Sequence, residues 1–180
     1  MLRRDWRTKF ARAGIRLATA VLPVVHAIGP HLDSLVAREK PDAVVHLGLA
    51  GSRRRVCVET RARNRSSSLK HDAGGRCSSM SSLQPRAAAR RSTWDAGRLA
   101  AALRAQEIDA ALSNDAGDYV CNATLWHSLR SGAVPAIFIH VPKKRRLAPA
   151  RLAAALAKLL PSAMPAGVRG KRASARSEQQ

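Results

Sequence analysis

A chain of 180 residues, 46% of them apolar, can build one domain around one core, and this composition excludes wholesale disorder. Three cysteines, Cys57, Cys77 and Cys121, follow no regular spacing and exclude a disulfide scaffold; no run approaches the roughly 20 apolar residues of a membrane span. The formal charge of +20, from 25 Arg and seven Lys against 12 acidic residues, accompanies a matching excess of Ala that points to compositional bias; it also leaves nonspecific, salt-sensitive contact with polyanions open.

In chain order, residues 1–16 read as a basic amphipathic segment, a solvated helical or frayed start. The opening MLRRDWRTKFARAG has no apolar stretch of signal-peptide length, so a reducing, cytoplasmic location is expected, without a membrane. Leu17 to Val25 (LATAVLPVV) predicts a short buried strand with Pro23 near its end. Ile28, Leu32, Leu35 and Val36 recur at helical spacing and predict a helix from His26 to Arg38. Lys40-Pro41-Asp42 stops it and opens a second strand, AVVHLGLAG. Arg53-Arg54-Arg55 makes an exposed turn before a third strand, VCVETRA, at 56–62.

Residues 63–93 are rich in Ser, Arg and Gly without a period, and read as a long surface loop or an excursion of short elements. Asp95 is placed to cap a helix running through Leu103, and IDAALS at 108–113 is the next strand. A turn, SNDAGDYV, leads into a short helix, CNATLWHSLRSG, ended by Gly132. PAIFIHVP is a fully apolar strand, and residues 148–160 form an Ala/Leu-rich helix. The remainder, 161–180, is basic and poor in large apolar residues, and is expected to be disordered. Apolar strands alternating with helices predict an α/β domain over 17–160, with a mainly parallel sheet covered by helices on both faces.

A thiol nucleophile needs a helix N-terminus or a basic neighbour, and a general base within reach. Cys121 follows the tight Asp-Ala-Gly-Asp turn at a predicted helix start. His140 ends the apolar strand AIFIH, and Glu59 ends VCVE, so strands deliver both polar side chains to their rims. On spacing alone the trio is weak, because a lone Cys is most often a small buried hydrophobe.

The residue strings add a resemblance. SNDAGDYVCN at 113–122 resembles the nucleophile motif of the pyroglutamyl-peptidase I (pyrrolidone-carboxylate peptidase) family, with its S-x-x-A-G-x-[YF]-x-C-N pattern. FIHVP at 138–142 resembles its histidine motif. PDAVVHLGLAG followed by VCVETRARN resembles the segment with its glutamate and the Asn five residues later, and LPVV at 22–25 resembles the strand just upstream. The matches keep family order across about residues 17–160. The resemblance implies a three-layer α/β/α sandwich, no cofactor, and removal of an N-terminal pyroglutamyl residue from peptides. It implies Cys121 as nucleophile, His140 as general acid/base, Glu59 as orienting carboxylate and Tyr119 as an aromatic flanking the lactam. The chain departs from the family in lacking its opening strand and G-F-x-P-F-type loop, so the sheet is expected to miss its first βα unit. It also has Leu49 where relatives often carry Gln.

Other features have plainer readings. His26, His31, His46 and His127 have no partner at metal spacing, Cys57 is a packed strand residue, and Cys77 is a loop thiol. Lys143–Arg146 is a solvated charge run. Three functions compete: an active pyroglutamyl peptidase, a catalytically degenerate member with an incomplete pocket, and a basic nucleic-acid-binding protein. The last lacks any helix-turn-helix, zinc-finger or aromatic RNA-binding signature. Homo-oligomerisation is left open.

Overall fold

A computed structural model describes residues 2–130, 132, 134–143 and 149–163. The most apolar stretch of the chain forms its central strand. Ala136–Pro142 is buried at every position but one, as a strand covered on both faces must be. It takes its place, as β6, between two earlier strands, β1 (Val44–Ala50) and β2 (Val56–Glu59), and β5 (Ala110–Ser113) completes the order β1-β6-β2-β5. The β1–β6 and β2–β5 pairings are parallel, and β6 runs antiparallel to β2. The sheet is therefore mainly parallel, as expected, with its one reversal at the centre.

The pleat divides the side chains into two layers. Val56, Val58, Ala110, Ile137 and Ile139 face a core shared with helices α1 (Leu2–Arg12), α3 (Ala96–Arg104) and α5 (Pro149–Ala163). Ala136 and Phe138 face the opposite way, toward Leu125 and Trp126 of α4 (Val120–Ser128). Helix α2 (Gly29–Glu39) packs behind α4, with Ile28 and Leu32 buried against Ala123. This is the expected three-layer α/β/α arrangement. Asp95 caps α3 as its sequence position suggested, its carboxylate accepting from the Arg98 N–H at 2.8 Å.

Four local expectations are corrected. Leu17 to Val25 forms no strand: it joins no ladder, and Val21 and Val24 are 82% and 48% exposed. Pro23 supplies no N–H, and the segment is pinned instead by the 63–93 loop, with the Ala73 N–H donating to the Val24 carbonyl at 2.8 Å. Residues 3–16 are not merely solvated or frayed. Phe10 and Ile15 are buried in the main core, with Trp6 packed against it. The segment expected to be a disordered tail begins inside α5, whose last turn reaches Ala163, itself buried; residues 164–180 lie outside the described residues. Helix α4 also ends earlier than expected, at Ser128, with Gly132 four residues beyond at φ +64°.

The 63–93 stretch is a surface excursion closed at its base by a two-residue ribbon, β3 (Arg61–Ala62) against β4 (Arg90–Arg91). Asn64 clamps it: its side-chain oxygen accepts the N–H groups of Leu83 and Gln84, each at 2.9 Å, and its amide donates to the carbonyls of Gln84 and Ala87.

Candidate active site

Register decides which polar side chains meet. On β6, Phe138 and His140 point to the α4 face. Antiparallel pairing sets Glu59 opposite Phe138 and Cys57 opposite His140. Glu59 ends β2 as expected, but His140 is not at a rim: β6 continues to Pro142 and runs against β2, so the imidazole reaches the carboxylate diagonally across the sheet. His140 Nδ1–H donates to Glu59 Oε1 at 2.8 Å, with both side chains buried. The second carboxylate oxygen, Oε2, is buried without a hydrogen-bond partner among the described residues.

The thiol arrives from the other layer. Gly117, at φ +88°, makes the tight turn after β5, and Asp115 Oδ1 accepts its N–H at 3.0 Å. Tyr119 is the N-cap of α4 and Cys121 its second residue. The Cys121 thiol neighbours the His140 imidazole closely enough to help raise its pKa; Nδ1 is engaged by Glu59, which leaves Nε2 as the ring nitrogen open to the sulfur. Asn122, next in the chain and fully buried, anchors the helix start. Its side chain accepts the Arg63 N–H and donates to the carbonyls of Arg63 and Arg65. The structure thus brings Glu59, His140 and Cys121 into one line.

Burial works against a charge on His140, yet hydrogen bonds to Cys121 and Glu59, reinforced by their negative charges, outweigh it and push the imidazole up to about 9. His46, on the same face of the sheet from β1, shows burial acting alone: its Nε2 bonds the Ser128 hydroxyl at 2.8 Å, its ring lies against Phe138 with centroids 5.9 Å apart, and its pKa falls to about 4. Cys57 is buried, as expected, and burial raises its thiol pKa. Cys77 is exposed. Tyr119 is half-buried, two residues before Cys121; its ring meets His26 edge-on at 5.5 Å and its hydroxyl donates to the His71 carbonyl at 2.7 Å.

Three further residues shape the site. Gly48 pairs with His140 in the ladder, and a Cβ there would lie 2.7 Å from the Phe138 ring and 3.3 Å from Cys121 Sγ. The Phe138 ring, with the sulfur close beside it, takes space that only glycine leaves open. Phe138 backs the imidazole, with ring centroids 4.7 Å apart. Arg53, expected as part of an exposed turn, reaches inward to within 3.6 Å of Glu59 Oε1. A glycine inside a strand pattern is a legible signal of close approach. For Phe138 and Arg53 no linear signal exists, because their neighbours are set by β6 inserting between β1 and β2. Among the described residues no three His, Cys, Asp or Glu side chains group as a metal site, and no helix is long and apolar enough to cross a membrane.

A three-layer α/β frame that aligns a thiol, an imidazole and a carboxylate has the layout of a cysteine-peptidase type of protein. Residues 10–168 match the family model of pyroglutamyl peptidase. The chain is 36% identical over 138 residues to the pyrrolidone-carboxylate peptidase of Deinococcus radiodurans, covering 72% of this chain and 63% of that protein. It is 36% identical over 117 residues to the same-named protein of Thermococcus kodakarensis, covering 62% and 57%. The matched stretches thus span about three fifths of those relatives. The crystal structure of pyrrolidone carboxyl peptidase from Thermus thermophilus is similar over 82% of this chain and 83% of that one, at 32% identity and a TM-score of 0.72. This chain belongs to the pyroglutamyl peptidase family of cysteine peptidases.

Proposed function

We propose that the protein is a cysteine exopeptidase that removes an N-terminal pyroglutamyl residue from peptides, with Cys121 as nucleophile, His140 as general acid/base and Glu59 as orienting carboxylate. The observation that carries the reading is the buried His140–Glu59 hydrogen bond at 2.8 Å with the Cys121 thiol on the same imidazole. A protonated imidazole beside the sulfur stabilises negative charge on it. The thiolate attacks the pyroglutamyl carbonyl carbon. His140 then gives its proton to the leaving amine as the C–N bond breaks, forming a thioester. The neutral imidazole takes a proton from water, which attacks the thioester, releases pyroglutamate and restores the thiol–imidazole pair.

Family membership supports the substrate class. Helix α4 has no side-chain cap, so its first N–H groups are available to a developing oxyanion. Tyr119 is assigned to one side of the lactam ring; it stands two residues before the nucleophile, and its hydroxyl bond to His71 fixes the ring. The test is hydrolysis of a chromogenic pyroglutamyl amide. Cys121→Ala should lower turnover at least ~10³-fold while the far-ultraviolet dichroism stays unchanged, whereas Cys57→Ala and Cys77→Ala should retain it. Turnover persisting in Cys121→Ala would overturn the assignment.

A further inference from the structure

Between the end of β1 and the start of β2 the chain carries three consecutive arginines, and they part company in space. Arg54 and Arg55 are exposed, and Arg55 pairs with Asp109 at the surface, at 3.6 Å. Arg53 turns in. Its Nη2 lies 3.6 Å from Glu59 Oε1 and donates to the Ser113 hydroxyl at 3.3 Å and to the Asp115 carbonyl. One guanidinium therefore touches three parts of the site: the carboxylate at the end of β2, the last residue of β5, and the turn that leads into Cys121. Its side chain is 32% exposed while Glu59 is fully buried, so Arg53 bridges solvent to a carboxylate that has no contact with it.

We propose that Arg53 is a positioning residue of this site: its guanidinium holds the Glu59 carboxylate in line with His140 and ties that carboxylate to the turn presenting Cys121. The inference rests on the catalytic line proposed above and extends it to a fourth side chain. A fully buried carboxylate needs a counter-charge, and the Arg53 guanidinium supplies one beside the His140 imidazole. A neutral residue at 53 removes that counter-charge and also removes the tie between Glu59 and the turn that leads into Cys121. Both losses loosen the imidazolium that stabilises a thiolate on Cys121, so they act in the same direction.

The groups facing Glu59 are few, and each element contributes. His140 comes from β6, with Cys121 of α4 behind it. Arg53 comes from the β1–β2 turn, and Cys57 lies on the carboxylate's own strand. Asp115, from the turn before α4, presents its carbonyl to Arg53 while its carboxylate pairs with Arg63 at 3.1 Å. Among these, Arg53 is the cation that, together with the imidazole, faces Glu59 Oε1.

The experiment follows the rate of Cys121 alkylation by iodoacetamide against pH, in a parent with Cys57 and Cys77 replaced by Ala. It needs no substrate, so it separates this inference from the pyroglutamyl reading. Arg53→Gln, which keeps a polar donor but no charge, should move the acid limb up by about one pH unit. Arg53→Lys should hold it within about 0.3 of the parent, because the charge remains. With a pyroglutamyl amide, Arg53→Gln should lose about tenfold in kcat at an unchanged KM. A responding alkylation limb in a parent that hydrolyses no pyroglutamyl amide would keep the Arg53 assignment and remove the substrate reading. An Arg53→Gln limb that overlays the parent would overturn the assignment, whatever that variant's melting temperature.

Discussion

Two histidines on one face of the sheet titrate in opposite directions, and the difference lies wholly in their partners. His46 meets the Ser128 hydroxyl and the Phe138 ring, and burial takes it down to about 4. His140 has Cys121 and Glu59 and rises to about 9. The imidazolium is therefore present below about 9 and lost as pH rises through it, and with it the proton that the proposed mechanism gives to the leaving amine. The kcat/KM for a pyroglutamyl amide should fall on that alkaline limb. Glu59→Gln removes one of the causes that raise His140, so the limb should move toward 6.5 and the plateau should drop by on the order of 10²-fold. A limb that stays near 9 in that variant would mean that the carboxylate is not tuning the imidazole. Cys121, His140 and Glu59 were legible from motif strings read in order. Arg53 and Phe138 were not, because each acts across a strand boundary that depends on which strand β6 enters between.

At the scale of elements, the apolar runs were the surest signals. β1, β2, β5 and β6 fall where hydrophobic runs predict strands, and α3 begins at its predicted cap. The run Leu17 to Val25 misleads because hydrophobicity reports burial demand and not the presence of a ladder partner: β1 pairs with β6, and Pro23 cannot donate. The basic segment at the start misleads the other way. Its charges conceal an apolar stripe, Trp6 and Phe10, that lies against the same core as Leu156 and Leu160 of α5. Phe10→Ala should cost about 3–5 kcal/mol of stability in urea unfolding; a loss below about 1 kcal/mol would return α1 to the status of a solvated appendage. The 63–93 loop carries no periodic signal, since its order comes from single polar clamps. Asp72, for example, accepts N–H groups from Arg76, Gly74 and His26, which hold its carboxyl below the usual range. Asn64→Ala would strand the N–H and carbonyl groups that Asn64 now serves and should cost about 1–3 kcal/mol. Hydrogen exchange should quicken first at Leu83 and Gln84, and unchanged exchange there would contradict the clamp.

For the molecule as a whole, the excess of arginine is not only a surface property. Arg53 and Arg63 serve the turn before Cys121, where Arg63 pairs with Asp115 and Lys70 with Asp118 at 2.5 Å. The exposed pairs, such as Arg130–Asp33 and Arg151–Glu107, contribute little stability individually. The three layers place a thiol from one helix against a carboxylate–imidazole pair from two strands. The central claim is that Cys121 carries the pyroglutamyl group as a thioester, and the direct measurement is to trap it. The purified chain is mixed with a pyroglutamyl nitrophenyl ester, quenched in acid within milliseconds, and mapped by mass spectrometry. The account predicts a pyroglutamyl adduct on the peptide bearing Cys121, approaching one per chain in the burst, and lost in Cys121→Ala. An adduct confined to Cys57 or Cys77, or steady turnover with Cys121 unmodified, would contradict it.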